Sequence, residues 1–419
     1  MIRVSAARLP LAAALLALAA GAPGGELRAR ALRGDAAAQV ELAGEFFFGK
    51  NRPANHVLAA YWYRQAAKSG STEGEYDLGC CYEHGWGVEK SLQKAFRYYS
   101  LAAEKNFPPA LTRRALLYLT GVRAEDLGEE KFKAIPADPK LAFAELRRAA
   151  KSNYAPAKLA LATRLFRDAK SRREHAAEIA ALARDAALDP HAEVPALLLY
   201  ADCLLNGFGV APDVPRAVKI LERAAALNSG AAMVGLGRLY EFGRGVPRDP
   251  ARAMELYRKA AELGSPEGEV AFADQLLSGN FLNADPVYAC TLYRRATERG
   301  YAPAFAKLGD CLAYGWGSKR DIEAAFAAYE AGAKRGDPAA QFRFGRCYAD
   351  GTGTRRDPAA AVFWYKCSGA AGNRDAIREL GIAFLYGRGV DKNPAEGRRL
   401  LDAAARAGDR IAAKTLEDQ

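Results

Sequence analysis

Residues 236–264 read LGRLYEFGRGVPRDPARAMELYRKAAELG, and this stretch decides the fold. Leu236, Gly237 and Tyr240, with Ala232 one turn earlier, fall within about 140° of a helical wheel and make one face. Gly243 then ends the helix, as glycine does where a left-handed conformation is needed. Asp249 and Pro250 have the chemistry of an N-cap and a first helical residue, so a second helix starts there. It carries Ala253, Tyr257, Ala260 and Ala261 and stops at Gly264. The stretch is one helix–turn–helix unit.

Outward from it the unit recurs. Gly207, Gly243, Gly279, Gly315, Gly351 and Gly387 stand 36 residues apart, and Gly49, Gly85 and Gly121 keep the same step upstream. Six residues before each marker stands Ala or Gly, from Ala43 and Gly79 to Gly345 and Gly381. Six after it stands Asn55, Ser91, Asp138, Asp213, Asp249, Asp285, Asp321, Asp357 or Asn393, each able to cap a helix. Second helices end only at Gly or Asn, residues that tolerate the left-handed cap. The one exception is Asp189, in a worn fourth unit (about 154–195) where Asp168 replaces the marker. Extra length falls in an insertion at about 123–136 and a short one near His191–Pro195. About ten units over residues 26–419 predict an all-α solenoid. One helix pair cannot cover its own apolar face, whereas a stack builds a continuous core. Arg114 departs from the apolar pattern of unit three, and no strand is expected.

Composition agrees. Half of the 419 residues are apolar and 26% charged, too many core-formers for a disordered chain. No apolar run reaches the length of a membrane span. Residues 1–22 carry Arg3 and Arg8, an apolar stretch from Leu9 to about Ala20 and small residues after it, which predicts a secretory signal peptide. Its loss after Ala19 or Ala20 lowers the net charge from +11 to +9.

The run Leu236–Val246, continuing through Asp249 to Gly264, resembles the Sel-one-like repeat, a relative of the tetratricopeptide repeat with a longer unit. The likeness is most specific in units two and five to ten, and weaker in the first and third. It implies a right-handed superhelix whose first helices line a concave surface, and a role as adaptor or scaffold, often in exported bacterial proteins. Unit two (Tyr82-Glu83-His84-Gly85-Trp86-Gly87) is similar to the family's cysteine-rich secreted branch. That branch pairs cysteines where this chain has Ala67 and Glu75, so its disulfide ladder is not carried over.

Two sets of residues are candidates for binding. Five and eight places before the marker, the first helices carry Arg238, Asp274, Lys307, Asp310, Arg343 and Arg346, which could grip a charged peptide or glycan. An exposed helix face is also polar without any such role. In the turns, Trp86, Phe208 and Trp316 sit between paired glycines, near Tyr314 and Tyr386; they either bind or cover the core ends. Positive charge is spread over all units and mixed with acids. That points to a protein or peptide partner or an anionic cell-envelope polymer, to peripheral membrane contact at most, and away from nucleic acid.

Seven cysteines leave at least one thiol unpaired within the chain, and Cys290–Cys311 is the best-placed pair, on adjacent antiparallel helices. Cofactor and metal signals are absent: four scattered histidines, and only Cys80 with His84 at helical spacing. Ser91-Leu92-Gln93-Lys94 matches the serine–lysine motif of penicillin-recognising enzymes, yet Ser91 lies in the cap column and the companion motifs are missing. An exported, non-catalytic adaptor is the expectation. A secreted penicillin-binding or β-lactam-hydrolysing enzyme is the alternative.

Overall fold

The computed structural model describes residues 25–51, 53–127, 130–279 and 284–418; the expected signal peptide, residues 1–22, lies outside them. The helices form two compact bodies. One comprises the chain up to Cys203 with Gly207–Ala211, the other Leu204–Asn206 with the chain from Pro212 onward. Within each, helix pairs follow one another in tandem, each packed on the next.

Most helices are 13 residues long, for example Gly230–Phe242 and Pro250–Glu262. Local chemistry sets both ends. Asp249 accepts the Arg252 amide at 2.9 Å, and Asp213, Asp285, Asp321 and Asn393 act alike. The marker glycines Gly243, Gly315, Gly351 and Gly387 cap the first helices in the left-handed region. Second helices lead into Asn106, Asn153, Asn228, Gly264, Gly300 and Gly336 at positive φ. One further column was not foreseen. Asp35, Ser71, Ser229, Ser265, Asp337, Asn373 and Asp409 cap the first helices.

The small-residue column has a defined use. Gly79, Gly237, Gly309 and Gly345 each seat the ring of the tyrosine twenty residues later: Tyr99, Tyr257, Tyr329 and Tyr365. A Cβ at Gly237 would stand 2.4 Å from Tyr257 Cε1. Both helices of a pair therefore approach at close range, and the tyrosines are buried.

Two irregular places depart from the pattern. The expectation of no strand is corrected: Glu125–Leu127 pairs antiparallel with Glu130–Phe132, registering Asp126 with Lys131. Gly121 has positive φ but ψ 165°, which sends the chain out into this hairpin. Val122 and Ile135 bridge its base, and Gln93 Nε2 donates to the carbonyls of Arg123 and Lys133. In the fourth unit Asp168 stays extended, where the markers are left-handed, and caps an extra short helix, Ala169–Glu174. Its carboxylate accepts the Ser171 amide at 2.6 Å.

Arg114, the misfit of unit three, is matched in space. Its side chain is half-buried beside buried Glu145, with Nε donating at 3.0 Å and a second, shorter contact through the same guanidinium.

Candidate functional site

The first-helix candidates all lie in the second body, and the structure sorts them. Asp310 Oδ1 accepts from the Tyr329 hydroxyl at 2.7 Å and from Arg343 Nε at 3.0 Å, while Oδ2 accepts a second Arg343 nitrogen at 3.1 Å. Burial works against the charge on Arg343, but Asp310 more than offsets it and its pKa ends above the usual value. Burial, then Asp310, pushes the Tyr329 hydroxyl up. One repeat earlier the arrangement recurs: Tyr293 donates to Asp274, and Lys307 Nζ stands 2.9 Å from it. Asp274, Asp310 and Arg343 therefore join one repeat to the next. Lys307 is exposed, and Arg346 is exposed with only a 3.6 Å contact to Asp350. Arg238 is exposed and makes no hydrogen bond or ion pair among the described residues.

Where the acid is missing five places before the marker, the tyrosine turns to another. Tyr257 donates to Glu241 at 2.7 Å, and Tyr99 to Glu83. A second link uses a place ten before the marker, joining the two helices of one repeat and, through a carbonyl, the end of the repeat before. Glu75 is held by Lys105, whose ammonium also donates to Gly70 O. Fully buried Glu269 is held by Arg295 and Arg299, the latter also reaching Gly264 O. These links were not read from the sequence, although Glu75–Lys105 and Glu269–Arg299 share a separation of 30 residues that was there to find.

The turn aromatics divide as well. Trp86 is half-buried, stacked on His84 and edge-on to Phe47; Phe208 is half-buried and edge-on to Phe166. Both cover core ends. Trp316 is exposed and stacks on exposed Tyr314, ring centres 5.0 Å apart.

Cys290 and Cys311 are neighbours as expected, each a thiol hydrogen-bonded to the other, and Cys290 Sγ also donates to Trp316 O. Ser91 is buried and accepts the Lys94 amide at 3.1 Å, which places its hydroxyl oxygen in a helix cap. Among the described residues no cluster of three or more His, Cys, Asp and Glu could hold a metal, and no helix is long and apolar enough to cross a membrane.

The Sel1 repeat pattern matches residues 36–71, 72–107, 194–229, 230–265, 276–301, 302–337, 338–373 and 374–409. Unit one, expected to be weak, is among them; the units with the hairpin and with Asp168 are not. No curated protein matches. The solved structure of c5321, a protective antigen present in uropathogenic Escherichia coli strains, is 24% identical and has an SLR fold. That match covers 93% of this chain and 80% of c5321, with a TM-score of 0.62. A Sel1 repeat protein of Oxalobacter formigenes is 30% identical over 59% of this chain and 99% of its own, with a TM-score of 0.50. With the repeat pattern over more than half of its length and the packing that pattern requires, the chain belongs to the Sel1 repeat family.

Proposed function

We propose that this protein is an exported, non-catalytic adaptor that binds a protein or peptide partner along the first-helix face of its repeats. Sel1 repeats are helical scaffolds for protein–protein interaction, and membership supports that part of the reading. The observation that carries the rest is the contrast along one face. Asp310 and Arg343 neutralise each other and Lys307 is paired with Asp274, while Arg238 and Arg346 remain exposed at the same helical positions. Exposed cations on a face whose acids are already paired favour an acidic partner. Export rests on the basic, then apolar, then small-residue order of residues 1–22.

The test uses the full chain. Wild type and an Arg238→Glu/Arg346→Glu variant are immobilised and cross-linked to an envelope extract, and the retained proteins are identified. Loss of one defined protein from the variant, with an unchanged circular dichroism spectrum, supports the reading. Identical capture by both would sink it. Export is checked separately by mass measurement of the protein recovered from outside the cytoplasm, expected to begin after Ala19 or Ala20.

A further inference from the structure

We propose that the turn edge of the last three repeats docks an acidic, extended segment of a protein partner. This surface is separate from the first-helix face, and neither depends on the other.

The edge is a continuous row. In repeats eight to ten each first helix ends at a left-handed glycine (Gly315, Gly351, Gly387), and the turn runs on to a cap at Asp321, Asp357 or Asn393. The second glycine of each turn seats it on the repeat before. A Cβ on Gly317 would stand 2.3 Å from Pro286 O, and one on Gly389 2.2 Å from Pro358 O. Gly353 lies likewise against Ile322 and Phe326. Close backbone contact thus fixes turn after turn along one edge. Packed helices stand about 8–10 Å apart, so the row repeats at about that step.

Its charge is one-sided. Lys319, Arg320, Arg355, Arg356, Arg388 and Lys392 are all exposed, and none of them makes an ion pair among the described residues. Arg320 Nε donates to Ala313 O and Arg356 Nε to Ala349 O, both at 3.0 Å, which anchors these guanidiniums at the helix ends. Carboxylates in the same row are occupied: Asp321 and Asp357 accept helix amides, and Asp350 lies near Arg346. Asp391, beside Lys392, is the exception. Between the cations stand exposed rings, the Tyr314–Trp316 stack and Tyr386, the latter 5.2 Å from the Arg388 guanidinium.

An extended peptide in the polyproline II conformation rises about 3.1 Å per residue with three residues per turn, so three residues cover the step from one turn to the next and bring every third side chain to the same side. Asp or Glu at every third position would meet one turn after another, with apolar side chains between them against the rings. Tyr314 and Trp316 already spend a face on each other, which leaves less ring surface than a base-stacking platform uses. A peptide is therefore the better match than a nucleic acid.

The experiment measures fluorescence anisotropy of a labelled peptide of about twelve residues, with Glu at every third position and Leu between, against the full chain. A peptide with Gln for Glu, a single-stranded oligonucleotide and polygalacturonate are run alongside. The acidic peptide is expected to bind, more weakly as salt rises, and the Gln peptide to bind at least about tenfold less tightly. Lys319→Glu/Arg355→Glu/Lys392→Glu should lose about tenfold or more in affinity. The neutral Lys319→Gln/Arg355→Gln/Lys392→Gln variant should lose affinity in the same direction should the first one fold poorly. Arg238→Glu should bind like wild type, which separates this edge from the first-helix face. The proposal is overturned by no binding of the acidic peptide, by equal binding of the Gln peptide, by a neutral variant that binds like wild type, or by tighter binding of either polyanion than of the peptide.

Discussion

A Cβ built on Gly309 would stand 2.3 Å from Cε1 of Tyr329, so these two residues occupy one packing site between the helices of repeat eight. Repeat seven has Ala273 at the same place and Tyr293 twenty residues later, both fully buried in one cluster. Gly309→Ala should therefore overpack and cost about 1–3 kcal/mol. Urea denaturation reads this directly, and a midpoint equal to wild type would contradict the close approach.

The Arg114–Glu145 pair predicts a non-additive result. Arg114→Met leaves a buried carboxylate without its partner and should cost about 3–5 kcal/mol. Adding Glu145→Leu removes that orphan, and most of the loss should return. Equal instability of the single and double variants would mean that the pair's packing matters more than its charge.

Burial, and then Glu73, pushes the Asp77 carboxyl up to about 7. The folded state thus holds a proton that the unfolded chain releases at a pH near 4. The stability from this proton is present below about pH 4 and is lost as pH rises toward 7. Asp77→Asn should raise stability by about 1–2 kcal/mol at about pH 8, a figure discounted for partial solvent contact, and change little near pH 4. Thermal midpoints at the two pH values test it; an equal gain at both would show that charge is not the cause.

Ser91 as a cap predicts that Ser91→Ala costs about 1 kcal/mol and Ser91→Asp costs little. A fluorescent penicillin should leave no covalent label on the wild type. A labelled Ser91 would revive the enzyme alternative.

Burial raises the Cys290 and Cys311 thiols above their usual range, which slows their reaction as nucleophiles. Alkylation of the native, reduced protein at neutral pH should be slow at both and become fast on unfolding. Mass spectrometry of labelled peptides gives the rates, and fast native labelling at Cys311 would contradict its burial.

Most of the helical architecture was legible in the sequence because its causes are local. A glycine at each marker, an acid or amide six residues later and Gly or Asn at the next stop specify helix ends without reference to any neighbour. The exceptions were equally physical. Asp168 looked like a lost marker, and in space it caps an additional helix. The insertion after Gly121 carried no strand signal, and its hairpin is held at the base by a side chain from the preceding unit, Gln93.

The candidate face was legible as a column but not as a set of contacts. Spacing put Asp274, Lys307, Asp310 and Arg343 on exposed sides of first helices. It could not say that residues 33 apart meet across the stack, or that a tyrosine from the intervening helix completes each link. By itself the sequence determined the repeat, its period and the ends of its helices, since caps and left-handed residues act within a few positions. Only the tertiary structure decided which charges are consumed in joining repeats and which, such as Arg238, Lys319 and Arg355, remain exposed without an ionic partner among the described residues. Pairing depends on distances between units, and those are set by how closely glycine and tyrosine allow the helices to stack.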